Sequence, residues 1–175
     1  MYKRQVFGQG PVGLSATLLA VAQGARVVAI DIDDERLALA ASFGAQATIN
    51  PRRVEPVLAL RELTHGEGVE AVAETSGASQ AAAAALGALA VWGRICMVGI
   101  GATMNLEMRA LLDRQLTVMT SYTLSIVAQQ QCADFVVARG LALDRLFTHR
   151  WRLEQAEEAY RVFDTQATGK AAFAF

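Results

Sequence analysis

The stretch that decides the fold is Phe7-Gly8-Gln9-Gly10-Pro11-Val12-Gly13, which reads G-x-G-x-x-G from Gly8 to Gly13. It stands between a short apolar pair, Val6-Phe7, and an apolar run over 14–23 that predicts a helix stopped by Gly24. Glycine at these three places answers three separate needs. Gly8 permits a tight strand-to-helix turn, Gly10 lets a pyrophosphate approach the backbone, and Gly13 lets helix and strand pack closely. Pro11 suits the first helical position, where its missing N–H is no loss. Gln9 and Val12 complete the loop. Its free N–H groups and the positive end of the helix dipole would face phosphate, at about 0.3–1 kcal/mol per exposed charge.

The motif gains weight from the next element. Arg26-Val27-Val28-Ala29-Ile30-Asp31 is an apolar run ending in an acid 18 residues after Gly13. An acid about 20 residues on is what a dinucleotide site uses to bind ribose hydroxyls. The competing reading is a glycine-rich turn followed by a helix-capping Asp.

Composition bounds the alternatives. The chain has 175 residues, enough for an ordinary domain with its own core, and 53% of them are hydrophobic, which excludes a disordered chain. A net charge of −1 gives no broad basic surface for nucleic acid or acidic lipid. Cys96 and Cys132 form no C-x-x-C and read as buried thiols of a reducing, cytoplasmic compartment. Lys3-Arg4, an apolar-leaning stretch and Ala20-Val21-Ala22 imitate a secretory signal, but glycines, a proline and a glutamine interrupt the supposed apolar region. No run of 18 clean apolar residues exists, so no membrane span is expected.

Taken in order, strand and helix alternate. Strands are predicted at Val6-Phe7, 27–30, 47–49, 69–73, 94–98 and 116–120, and helices at 14–23, 33–41, 54–63, 79–90 and 106–113. Such alternation predicts an α/β fold with a doubly wound, six-stranded parallel sheet of the Rossmann type. Residues 1–5 are polar, so the first strand reads as unusually short for a central parallel strand. After Tyr122 the rhythm changes: a helix over 125–139, a mixed segment over 143–151, a charged helix over 153–163, then Gly169-Lys170 and a last strand over 171–175.

These residues resemble the medium-chain, zinc-type alcohol dehydrogenase family. The matching phrases are Gly8 to Leu14, Ala29-Ile30-Asp31-Ile32-Asp33-Asp34-Glu35-Arg36-Leu37, Phe43-Gly44-Ala45, Glu74-Thr75-Ser76-Gly77, Trp92-Gly93-Arg94 with Val98-Gly99, Thr148-His149-Arg150 and Gly169-Lys170. They follow the family's order and spacing over nearly the whole chain. The resemblance implies that residues 1–122 are a domain binding NAD, whose sixth strand pairs with that of a second subunit in a homodimer. It implies that 123–175 return to a separate catalytic domain. In the family that domain precedes the glycine motif and carries a Cys and a His-Glu pair for zinc. Together with the short first strand, this predicts the C-terminal half of a dehydrogenase, holding neither catalytic residues nor zinc ligands of its own and inactive alone.

The candidate cofactor contacts are then Gly8, Gln9, Gly10, Pro11, Val12, Gly13, Asp31, Arg36, Thr75, Ser76, Val98, Gly99, Ile100 and Ser121. Asp31 would repel a 2′-phosphate and so favours NAD, whereas Arg36 beside it suits phosphate. By resemblance the backbone of Val98, Gly99 and Ile100 reaches the nicotinamide carboxamide. Thr75 and Ser76 end the fourth strand, where ligands of such sheets collect. Ser121 serves either cofactor or dimer contact. His149 reads as structural. Tyr122 and Tyr160 lack a lysine four residues on, which excludes the Tyr-x-x-x-Lys site of short-chain dehydrogenases. The implied whole enzyme oxidises the CH–OH group of a small alcohol or polyol. The alternatives are a zinc-free, quinone-reductase-like NAD(P)H oxidoreductase and a non-catalytic NAD(H)-sensing module.

Overall fold

The computed structural model describes residues 3–165 and 169–175. It divides into two compact units, Met1–Thr123 and Leu124–Phe175.

In the first unit six parallel strands are ordered β3-β2-β1-β4-β5-β6. They are β1 (Lys3–Phe7), β2 (Arg26–Ile30), β3 (Ala47–Ile49), β4 (Val69–Glu74), β5 (Leu89–Met97) and β6 (Thr117–Thr120). Five helices connect them: α1 (Pro11–Ala22), α2 (Asp34–Ser42), α3 (Pro56–Leu63), α4 (Ser79–Ala88) and α5 (Met108–Arg114). This is the Rossmann-like, doubly wound α/β fold. Phe7, Ile30, Val72 and Ile95 point to one sheet face, where Leu60 of α3 and Ala85 and Ala88 of α4 close the core. The alanines let α4 approach the sheet closely.

The chain runs outward from β1 to β3 and returns beside β1 as β4. Between β1 and β4 the connections therefore leave in opposite directions. At such a switch point a crevice opens outside the carboxyl ends of the strands.

The first strand is longer than its side chains suggest. β1 begins at Lys3 and pairs on both sides, Lys3 to Phe7 with β2 and Arg4 to Phe7 with β4. Ladder bonds use backbone groups, so polar side chains do not end a strand that has two neighbours. Gln5 is the consequence: it is buried on the core face, and neither its Oε1 nor its Nε2 finds a partner among the described residues. An unmade bond of this kind costs about 1–3 kcal/mol. Met1 and Tyr2, read as part of the polar start, lie outside the described residues.

A second difference lies at α4 and β5. The helix stops at Ala88 and the strand starts at Leu89, five residues earlier than Arg94. Gly68 packs against the backbone at Ala88, Leu89 and Ala90, and the next residue, Val69, pairs with Leu89 as the first rung of the ladder. The register then shifts between Val69↔Leu89 and Ala71↔Arg94, and Trp92 adopts φ 63° in the bulge.

In the second unit α6 (Ile126–Arg139) is capped by the Ser125 hydroxyl, which accepts the Ala128 N–H at 3.1 Å. The mixed segment resolves into a 3-10 turn (Leu143–Leu146) and a strand, β7 (Phe147–Trp151). After α7 (Ala156–Asp164), β8 (Lys170–Phe173) pairs with β7 in parallel. β7 is illegible in the sequence because its five residues, Phe-Thr-His-Arg-Trp, are stabilised as a strand by partners far along the chain, as in His149↔Ala171. The Thr148 hydroxyl accepts the Gly169 N–H at 2.9 Å and anchors that pairing.

Candidate dinucleotide site

The turn between β1 and α1 is built from its glycines. Gly8 has φ 83°, and a Cβ there would stand 2.8 Å from Ser76 N. A Cβ on Gly13 would lie 1.7 Å from Gly8 O and 2.8 Å from Thr75 Oγ1. Gly10 differs: a Cβ there meets nothing within 4 Å. Two glycines thus close the turn and the third opens a cradle.

The helix behind that cradle is left unsatisfied. Leu14 N–H bonds Gly10 O at 2.9 Å, so Val12 and Gly13 carry N–H groups with no carbonyl one turn back, and Pro11 has none to offer. Gly10 provides no side-chain cap and no acid stands in the first turn of α1. The positive end of the helix dipole is therefore available to an anion.

Gln9 has a split role. Its side chain is fully buried, with Nε2 donating to Val6 O at 2.9 Å and Oε1 accepting from Thr17 Oγ1 at 3.0 Å. Only its backbone faces the turn, and that N–H donates to Asp31 Oδ2 at 2.5 Å. Asp31 ends β2, is 7% exposed, and accepts the Asp33 N–H at 3.0 Å on its other oxygen. Arg36 Nη1 lies 4.0 Å from Asp31 Oδ2. Each carboxylate oxygen has two lone pairs, so Asp31 keeps acceptor capacity for hydroxyl donors.

Beyond the switch point, Thr75 ties β4 to β1. Its hydroxyl lies 2.9 Å from both Phe7 O and Gly8 O, and its N–H donates to Phe7 O at 2.8 Å. Glu74, which sequence reasoning passed over as a strand-ending acid, is fully buried. Its carboxylate accepts the Ser76 N–H at 2.8 Å, the Ser76 hydroxyl, and the Gly77 N–H at 3.2 Å. The signal that could have found it is an acid at the end of an apolar strand followed directly by small, N–H-bearing turn residues. Val98 and Gly99 donate to Glu74 O at 2.8 and 2.9 Å, and Ile100 is 79% exposed beside them. Ser121 is exposed at the end of β6, its N–H on Met97 O at 3.0 Å.

All strands being parallel, the sequence-predicted residues share one edge of the sheet. Asp31 and Ser121 stand four strand spacings apart, roughly 19 Å at about 4.8 Å per strand. A ligand reaching both ends of this row must be elongated. Cys96, lower in β5, has its thiol pKa raised by burial. Among the described residues no three His, Cys, Asp or Glu side chains come together to hold a metal ion, and no helix is long and apolar enough to cross a membrane.

Comparison with known proteins agrees with this geometry. A family model described as zinc-binding dehydrogenase matches residues 11–138. The zinc-type alcohol dehydrogenase-like protein YphC of Escherichia coli is 32% identical over 173 residues, covering 97% of this chain and 49% of that protein. L-threonine 3-dehydrogenase of Bacillus subtilis is 30% identical, with 94% and 49% covered. Among solved structures, the alcohol dehydrogenase of Thermus sp. ATN1 superposes with a TM-score of 0.89 at 30% identity, covering 99% of this chain and 51% of that one. The chain thus spans about half the length of the curated relatives it matches. A six-stranded Rossmann-like sheet, a glycine cradle at its switch point and these matches across most of the chain lead to one assignment: the chain belongs to the zinc-binding dehydrogenase family, whose members are oxidoreductases of the zinc-type alcohol dehydrogenase kind.

Proposed function

We propose that this chain is the NAD-binding portion of a zinc-dependent alcohol or polyol dehydrogenase acting on a CH–OH group, and that it is inactive alone. The observation that carries the reading is the pairing of an open Gly10 with a buried Asp31 across the β1–α1 turn, joined by the Gln9 N–H. When bound, the nicotinamide dinucleotide supplies the hydride acceptor. The chain's own residues bind and orient it. The N–H groups of Val12 and Gly13 donate to pyrophosphate oxygens, with Gly8 and Pro11 shaping the turn. Asp31 accepts from ribose hydroxyls, and its charge disfavours a 2′-phosphate, so NAD is preferred to NADP. Arg36 flanks the ribose and holds Asp31. Thr75 and Ser76 border the crevice, and the backbone of Val98, Gly99 and Ile100 takes the carboxamide, with Ser121 beyond.

Residues 1–122 form the cofactor domain in this reading, and 123–175 return to a catalytic domain. The zinc ligands belong to that domain. Among the described residues β6 is an edge of the six-stranded sheet, with β5 as its neighbour, which is compatible with a homodimer formed across this strand. L-threonine, named for the Bacillus subtilis relative, carries a hydroxyl-bearing carbon, in keeping with a small alcohol as substrate of the whole enzyme. Asp31 weighs against an NADPH-preferring, quinone-reductase-like relative.

Calorimetric titration of the 175-residue chain tests this. NADH should bind, NADPH at least tenfold more weakly, and simple alcohols plus NAD should give no turnover. Alcohol oxidation by the isolated chain, or equal affinity for both dinucleotides, would overturn the reading.

A further inference from the structure

Two loops at the carboxyl edge rest on each other backbone to backbone. A Cβ on Gly77 would lie 2.1 Å from Ile100 O, and one on Gly99 would lie 2.1 Å from Gly77 N. Neither loop can move without the other. Beneath them sits Glu74, with no solvent exposure and with Oε2 2.8 Å from where a Gly99 Cβ would stand. Its side chain holds the lower loop through Ser76 and Gly77, and its carbonyl holds the upper one through Val98 and Gly99. One residue therefore sets the height of both.

We propose that Glu74 is a positioning residue for the nicotinamide end of the cofactor, acting through the 98–100 backbone it supports. This rests on the dinucleotide reading above. Burying a carboxylate is costly and is tolerated only where donors meet it. A buried acid engaged by its own turn does no more for the sheet than an apolar residue would. What it adds is a rigid seat: its two oxygens fix the Ser76 and Gly77 N–H groups and the Ser76 hydroxyl, which loops usually leave to water. Replacing one oxygen by an amide NH2 turns a donor toward donors, which displaces the Ser76-Gly77 turn and with it Gly99. The pyrophosphate cradle touches this turn only where Gly8 packs on Ser76, and it has two further supports, the Thr75 hydroxyl on Gly8 O and the Gly8–Gly13 contact, so it should feel the displacement less.

The distinguishing measurement is a pair of titrations, with NADH and with ADP-ribose, which lacks nicotinamide. Glu74→Gln should weaken NADH binding about tenfold and ADP-ribose less than threefold, and Glu74→Asp should recover part of the NADH loss. Should Glu74→Gln fail to fold, Ser76→Ala removes one donor and leaves the acid, and should lower the NADH to ADP-ribose affinity ratio about threefold. Equal losses for both ligands would make Glu74 a merely structural residue, and no loss for either would remove the role altogether. If the unaltered chain binds neither ligand, the dinucleotide reading fails first and the role of Glu74 falls with it. Tight binding by the unaltered chain with an unchanged ratio in the variants overturns the Glu74 assignment alone.

Discussion

Two consecutive strand-to-helix turns of this molecule solve the same problem in opposite ways. After β2, Asp33 caps α2: its Oδ1 accepts the Glu35 N–H at 2.9 Å and the Arg36 N–H at 3.0 Å, and Asp34 and Glu35 add acid to the first turn. That helix start is satisfied from within. After β1, Gly10 caps α1 with nothing and the first turn carries no acid. That start has no side-chain partner among the described residues. Both turns lie on the same edge of the same sheet, so strand geometry does not separate them. The local residues do, because a short acceptor side chain at the cap consumes the N–H groups that a phosphate would otherwise take.

Substitutions can break or sharpen this contrast. Gly13→Ala should have the largest effect. Its Cβ has no room against Gly8 O, so α1 must shift from β1, and we expect a loss of about 3 kcal/mol or more in urea unfolding together with loss of NADH binding. A variant folded as stably as the parent would show that the close packing is not needed. Gly10→Ala should separate binding from folding. Its Cβ meets open space, so the unfolding midpoint should hardly move, while NADH affinity falls about tenfold, or roughly 1.4 kcal/mol, in the same titration. Unchanged affinity would mean that the cradle is not where the dinucleotide lies. Asp33→Ala should do the reverse and by less, costing about 1 kcal/mol of stability through the lost cap with NADH binding unchanged within twofold. If binding fell instead, the two turns would not be independent.

The contrast also explains what could be read without coordinates. Gly8, Gly10, Gly13 and Asp31 stand close in sequence, and their meaning follows from spacing along one strand–turn–helix–strand unit. The alternation of apolar runs with helical periods gave the order of the six strands' elements for the same reason. Harder to read were features that depend on neighbours far along the chain. Lys3 to Gln5 join β1 because β2 and β4 flank them, though their side chains argue for a loop. Leu89 begins β5 because it pairs with Val69, well before it in the chain. β7 exists because β8 pairs with it.

At the site the division is the same. Local sequence determined that a glycine-rich turn precedes a helix without a side-chain cap, and that an acid ends the next strand. Tertiary structure decided that Gln9 turns its side chain into the core, that its N–H meets Asp31, and that Glu74 lies under two loops 22 residues apart. Spacing encodes contacts between residues of one unit, because the backbone fixes their geometry within a few turns. Contacts between segments far apart in the chain appear only when the sheet has ordered its strands and brought β4 beside β1.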